Sequence, residues 1–173
     1  MGYQALCSEA SVDQVVDQYS QLIYRLAYAQ TGSRQDAEDI YQEVFLRLVR
    51  KNPVFQSEEH RKAWLIRVTI NCSKSLRSSA WRRHTVPLEE QPDGMGASGL
   101  EELEEAAALR DCLMRLGAED RAVLHLFYYQ GLPVKEIAQT LGKRESTVKV
   151  RLMRARRKLE TMLTGGEDDT GTL

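Results

Sequence analysis

At 173 residues, with a formal net charge of −1, 42% hydrophobic and 28% charged residues, the chain has the composition of a folded globular protein and not of a disordered one. No run approaches the roughly 18 apolar residues of a membrane span, and Met1 to Ala10 lack the basic-then-apolar order of a signal peptide, so a cytoplasmic protein without membrane insertion is expected. Cys7, Cys72 and Cys112 are scattered and form no Cys-x-x-Cys pair, which argues against a disulfide framework or a zinc site, and no cofactor is expected.

Along the chain, apolar residues recur at spacings of three and four and no alternating Val/Ile/Thr-rich run occurs, which predicts an all-α fold. Helices are expected at Val12 to Gln30, Arg34 to Lys51 and Glu58 to Trp81, with Ser33 and Ser57 as N-caps and Gly32 and Pro53 as breaks. These make a first small domain over residues 11–84. Residues 85–99 hold Pro87, Pro92, Gly94, Gly96, Ser98 and Gly99 among acids, the composition of a flexible acidic linker. Further helices follow at Leu100 to Leu116, Glu119 to Gln130, Val134 to Leu141 and Glu145 to Leu163, punctuated by Gly117, Gly131 with Pro133, and Gly142. They make a second domain over 100–163, ahead of a frayed tail at 164–173.

The near-neutral total hides a lopsided distribution. Arg61, Lys62, Arg67, Lys74, Arg77, Arg82 and Arg83 form a basic block free of acids, and Lys143 to Lys158 form another against the single acid Glu145. The stretch from Glu89 to Glu105 cancels one of them in the sum. Two separated cationic surfaces point to two contacts with a polyanion.

In the second helix, Ala37, Ile40, Tyr41, Val44, Phe45 and Leu48 form the predicted buried stripe, with Asp39, Gln42, Glu43 and Arg50 opposite. Leu46 projects from that polar face, as the centre of a protein-binding patch does. In the third helix, Trp64, Leu65, Val68, Cys72 and Leu76 are expected to face the core. The other face carries Arg67, Asn71, Lys74, Arg77, Ser78 and Trp81: cations, hydrogen-bonding groups and a π-surface that suit a single strand with unstacked bases.

Leu132 to Leu159 reads as a helix-turn-helix: a short helix, a glycine turn and a longer basic helix. Ala138 is small where the helices cross, Gly142 permits the turn, and Ile137, Leu141, Val148 and Leu152 fill the shared core. On the long helix, Val148, Leu152, Ala155, Leu159 and Leu163 form the inward stripe, while Ser146, Val150, Met153, Arg154 and Arg157 face outward, towards a major groove. Thr147 stands beside Ser146. Lys149, Arg151 and Arg156 flank this set within reach of phosphates, and Lys149 and Arg154 are the foremost candidates for DNA contact.

With these stretches in place, the chain resembles the extracytoplasmic-function family of bacterial sigma factors over roughly Val12 to Leu163. DAEDIYQEVFLRL is similar to the family's region for docking on the polymerase's clamp helices. HRKAWLIRVTIN resembles its promoter-melting and minus-ten region, and the helix-turn-helix its minus-thirty-five reader. The resemblance implies that Asp39, Gln42 and Glu43 hold core RNA polymerase, to which the exposed Leu46 is added from the projection. It implies that Asn71, with Trp64, Arg67, Lys74, Arg77 and Trp81 around it, holds the opened strand of the minus-ten element. It also implies that Lys149, Val150, Met153 and Arg154 touch the minus-thirty-five element of promoter DNA, with Ser146, Thr147, Arg151 and Arg157 beside them. An anti-sigma protein commonly restrains members of this family. Ile66 departs from the aromatic residue often found there, and the Asn52 to His60 loop offers no residue assignable to a base.

The resemblance implies a non-catalytic specificity subunit of RNA polymerase with no small-molecule substrate. A stand-alone repressor would use the same helix-turn-helix but leaves Asp36 to Arg83 unexplained. A helical enzyme acting on nucleic acid through Asp36, Glu38, Asp39 and Glu43 with a metal is disfavoured, because these carboxylates are spread around the helix and His60, His84 and His125 lack paired ligand spacing.

Overall fold

The computed structural model describes residues 10–83 and 100–165, and in these the chain is all-α. Side chains are described for residues 10–79 and 104–165, so the Trp81 side chain, the 85–99 linker and most of the tail lie outside the described residues. The chain divides into two compact units, Met1–Glu90 and Gln91–Leu173. No helix among the described residues is long and apolar enough to cross a membrane.

The first unit packs α1 (Val12–Thr31), α2 (Arg34–Lys51) and α3 (Glu58–Arg83) around one core. Helix α1 starts at a capping box: Ser11 Oγ accepts from the Gln14 amide at 3.3 Å, and Gln14 Oε1 from the Ser11 amide at 3.1 Å. It stops at Gly32, whose φ of 66° lets its amide reach the Tyr28 carbonyl. Ser33 caps α2 at once, accepting from the Asp36 amide at 3.2 Å, so two residues separate the helices and make them neighbours. Asp36 is half-buried, and desolvation, then the Asp39 charge, raises its pKa above the ordinary value. Asn52 ends α2 with φ 41°, a left-handed geometry that asparagine tolerates. Helix α3 begins where Ser57 Oγ accepts from the His60 amide.

Apolar residues spaced by three and four supply the core: Val15, Tyr19, Ile23 and Ala27 from α1, and Ala37, Ile40, Val44, Phe45 and Leu48 from α2. Leu65 and Cys72 come from α3, and Phe55 plugs the core from the α2–α3 loop. Helix α3 is buried more widely than its apolar pattern predicts, because Ile66, Thr69, Ile70 and Ser73 are buried too. The two hydroxyls are satisfied within the helix, Thr69 donating to the Leu65 carbonyl at 2.7 Å and Ser73 to that of Thr69 at 2.8 Å. Burial pushes the Cys72 thiol above its ordinary pKa, and Arg47 opposes the shift in part.

Arg61 does not belong to the cationic surface its sequence neighbours suggest. It is 3% exposed, ion-paired with Glu58, and its guanidinium lies 5.3 Å from the Phe55 ring centroid. The Tyr19 hydroxyl donates to the same Glu58 at 2.9 Å, and burial together with that bond pushes the Tyr19 pKa up to about 12. This cluster ties α1, the loop and α3 together.

In the second unit, α4 (Leu100–Arg115) is followed by α5 (Ala118–Leu124), a π-helical turn (His125–Tyr129), α6 (Val134–Leu141) and α7 (Glu145–Thr164). The expected helix from Glu119 to Gln130 is thus interrupted by a π turn, with the Gln130 amide bonding the His125 carbonyl five residues back. Arg121, 8% exposed, donates to the Met114 and Leu116 carbonyls and so closes the end of α4. Ala122, Val123, Leu126, Ile137, Ala138, Val148, Leu152 and Ala155 are buried in this unit. Leu163, expected to face inward, is 49% exposed at the far end of α7.

Truncating Glu58→Ala leaves the buried Arg61 without this carboxylate and should destabilise the chain by about 2 kcal/mol, discounted from a fully buried pair because Glu58 is half-exposed. Tyr19→Phe should cost about 1 kcal/mol, the net worth of its hydrogen bond. Urea denaturation of both variants measures the difference.

Candidate nucleic-acid interface

The geometry of the second unit is fixed at the turn between α6 and α7. Pro133 precedes α6 with φ −66°, a helix-entry value set by its ring, and its carbonyl accepts from the Ile137 amide. At the other end Gly142 adopts φ 64°. The Lys143 amide then reaches back to the Ala138 carbonyl at 2.9 Å and the Gly142 amide to that of Gln139 at 3.4 Å, the paired bonds of a Schellman cap. Nothing crowds the position a Gly142 Cβ would take, so the glycine is required by its backbone angle and not by a close approach. Lys143 and Arg144 separate it from α7, and Val148, Leu152 and Ala155 seat that helix against the domain.

That seating leaves a continuous outward face on α7. Ser146, Thr147, Lys149, Val150, Met153, Arg154 and Arg157 are all exposed. Lys149, Arg154 and Arg157 have no hydrogen-bond or ion-pair partner among the described residues. Arg151 differs: it is half-buried and ion-paired with Glu119 at 2.9 Å and Asp120 at 3.1 Å, which draws its guanidinium towards α5 and away from the outward face. Arg156 donates to the Tyr128 hydroxyl at 3.0 Å. Neither engagement is legible locally, since the partners lie about thirty residues upstream. A groove beside α7 is lined by Asp120, Ser146, Thr147, Val150, Arg151, Arg154 and Lys158.

On α3, Arg67, Asn71, Lys74 and Ser78 are exposed and share one face. Arg77, beside them, is half-buried. Trp64 is also half-buried, packed on the core and edge-on to Phe55 at 5.7 Å between centroids. Ile66, at the position where the family often has an aromatic residue, is 1% exposed and serves the core.

Helix α2 turns Asp39, Gln42, Leu46 and Arg50 outward. Glu43 is half-buried and accepts from Arg47 Nε at 2.8 Å, an i,i+4 pair that holds its carboxylate in place. Leu46 is 46% exposed, and Val49, which the sequence reading passed over, is exposed as well. The pattern Leu46-x-x-Val49 was the available signal, because residues three apart share a helix face.

The family pattern described as Sigma-70 region 2 matches residues 15–83, and that described as Sigma-70, region 4 matches residues 106–159. The ECF RNA polymerase sigma factor SigL of Mycobacterium tuberculosis is 34% identical over 169 residues, covering 92% of this chain and 93% of SigL. The chain belongs to the extracytoplasmic-function (ECF) family of RNA polymerase sigma factors. Within this family it is also 32% identical to SigE of Mycolicibacterium smegmatis over 92% of its length and 33% identical to BldN of Streptomyces coelicolor over 85%; it spans 64% and 58% of those two longer relatives. Its fold resembles that of the sigma factor RpoE from Bartonella quintana, solved in complex with the anti-sigma factor NepR, with a TM-score of 0.71 at 20% identity over 90% of this chain and 98% of that one.

The Gly142 turn gives a direct stability test. Gly142→Ala should cost about 1–2 kcal/mol, the penalty of a left-handed L-residue, although the added methyl meets open space. Thermal unfolding followed by circular dichroism reads the shift.

Proposed function

We propose that this chain directs core RNA polymerase to promoters and takes part in opening them, as a cytoplasmic, non-catalytic subunit that leaves phosphoryl transfer to the polymerase. The observation that carries the reading is the outward face of α7, where Lys149, Arg154 and Arg157 are exposed and meet no partner among the described residues, on the second helix of a helix-turn-helix. In a chain of net charge −1, a cluster of exposed cations on one helix face is the electrostatic footprint of a nucleic-acid contact.

In this reading the first unit is the region that meets polymerase and the minus-ten element. Asp39, Gln42, Glu43 and Leu46 on α2 are the docking face, and the Glu43–Arg47 pair holds one carboxylate ready for the partner. On α3, Arg67, Asn71 and Lys74 follow the exposed strand, offering charge and hydrogen bonds to phosphates and bases. Trp64 and Arg77, half-buried, stand at the margins of that face, and Trp81 completes the set named from the sequence.

The second unit reads the minus-thirty-five element. Lys149 and Arg157 reach phosphates, Arg154 reaches bases or phosphates, and Ser146 and Thr147 lie at the start of α7, where hydroxyls and uncapped amides favour an anion. Val150 and Met153, both 41% exposed, offer apolar contacts such as those to thymine methyls. Joined in one chain and tethered to polymerase, two modest DNA contacts gain effective concentration, so neither unit needs to bind tightly by itself. An anti-sigma protein covering the docking face is the proposed restraint, in keeping with the anti-sigma factor held by the Bartonella relative.

Size-exclusion chromatography with bacterial core RNA polymerase tests the docking face. The wild-type chain should co-elute, and the triple variant Asp39→Ala, Gln42→Ala, Glu43→Ala should lose co-elution. A wild-type chain that fails to bind core polymerase while binding specific DNA by itself would mark a stand-alone regulator.

A further inference from the structure

Apart from Arg156, which donates to the Tyr128 hydroxyl, the cations of α7 fall into two sets according to what holds them. Lys149, Arg154 and Arg157 meet no partner among the described residues, whereas Arg151 and Lys158 are met from across the domain by the first turn of α5. Arg151 Nη2 stands 2.9 Å from Glu119 Oε2 and Nη1 3.1 Å from Asp120 Oδ1, so each terminal nitrogen has its own carboxylate. Lys158 Nζ lies 3.7 Å from Asp120 Oδ2. Two carboxylates against two cations leave this flank of the helix neutral.

The carboxylates are placed there by their own helix. Gly117 caps α5 without a side chain, and acids in the first turn offset the partial positive charge of the uncapped amides. The Asp120 side chain is only 13% exposed, and it lines the groove beside Ser146, Thr147, Val150 and Arg154. Its negative charge therefore sits at the edge of the surface offered to DNA. Arginine, with its planar fork, suits this arrangement better than lysine would.

We infer that Asp120, assisted by Glu119, is a positioning residue that withholds Arg151 and Lys158 from the DNA backbone and so limits the sequence-independent part of binding. The inference rests on α7 being the DNA-reading helix. Each phosphate a protein neutralises adds affinity for any sequence, while base edges alone carry information. Keeping two of the cations on α7 neutral, and a carboxylate beside them, leaves DNA to the Lys149, Arg154 and Arg157 face and lets base contacts decide more of the total.

The test is the salt dependence of binding to a short random-sequence duplex, read by fluorescence anisotropy on the full chain. Asp120→Asn should steepen the log K against log salt slope by about 1–2 units and bind the duplex several-fold tighter at low salt, since up to two cations are released to phosphates. Adding Arg151→Ala to Asp120→Asn should take back about one unit of that gain. In the otherwise wild-type chain, Arg151→Ala should cause no such loss. A loss of about one unit on Arg151→Ala alone would show that Arg151 already contacts phosphate, and would overturn the inference even if Asp120→Asn fails to fold. A folded Asp120→Asn with an unchanged slope would overturn it equally. Arg154→Ala judges the underlying reading separately: it should lower the slope by about one unit, and no change there would remove the DNA-reading role of α7 itself.

Discussion

Gly142 sets the direction in which α7 leaves α6, and most of what the second unit turns outward depends on that angle. With φ at 64°, the chain satisfies two orphan carbonyls of α6 in the same step that reverses its course, so the turn is short and has one geometry. Ala138, small and buried, lies in the last turn of α6, and Val148, Leu152 and Ala155 then form the only stripe along which α7 buries residues fully. The exposed face follows by subtraction. A helix that must bury one stripe has no freedom over which residues it turns outward.

The first unit obeys a similar constraint with different means. Its helices are joined by left-handed residues, Gly32 and Asn52, and the Phe55 ring fills the space the second loop would leave. Around it, Arg61, Glu58 and Tyr19 form a polar cluster spanning two helices. Such clusters specify one arrangement more than they stabilise it, because a charge removed from water is repaid only with its partners in place.

Helix positions were legible in the sequence because caps and breakers are local: Gly32, Ser33, Ser57, Pro133 and Gly142 act on residues within four positions of themselves. The apolar stripe of α2 was equally plain, since only the ring of Tyr41, set edge-on to Phe45, is less than fully buried. What the sequence concealed were engagements between distant residues. Arg61 counts as surface charge until the loop brings Phe55 over it, and Arg151 counts as a free cation until Glu119 and Asp120, 31 or more residues upstream, are folded against it. The π turn at His125 has no compositional signature, and Leu163 keeps the inward register of α7 after the domain has ended. Periodicity reports which face a residue occupies, not whether anything lies opposite.

The burial of the thiols carries a consequence for chemistry outside transcription. Cys72 and Cys112 are both buried, and the interior holds Cys72 in its protonated form beyond the ordinary thiol range. Peroxide and disulfide exchange act on accessible thiolates, which these two side chains do not present. A thiol-directed oxidant therefore reaches Cys72 and Cys112 only when the fold around them opens.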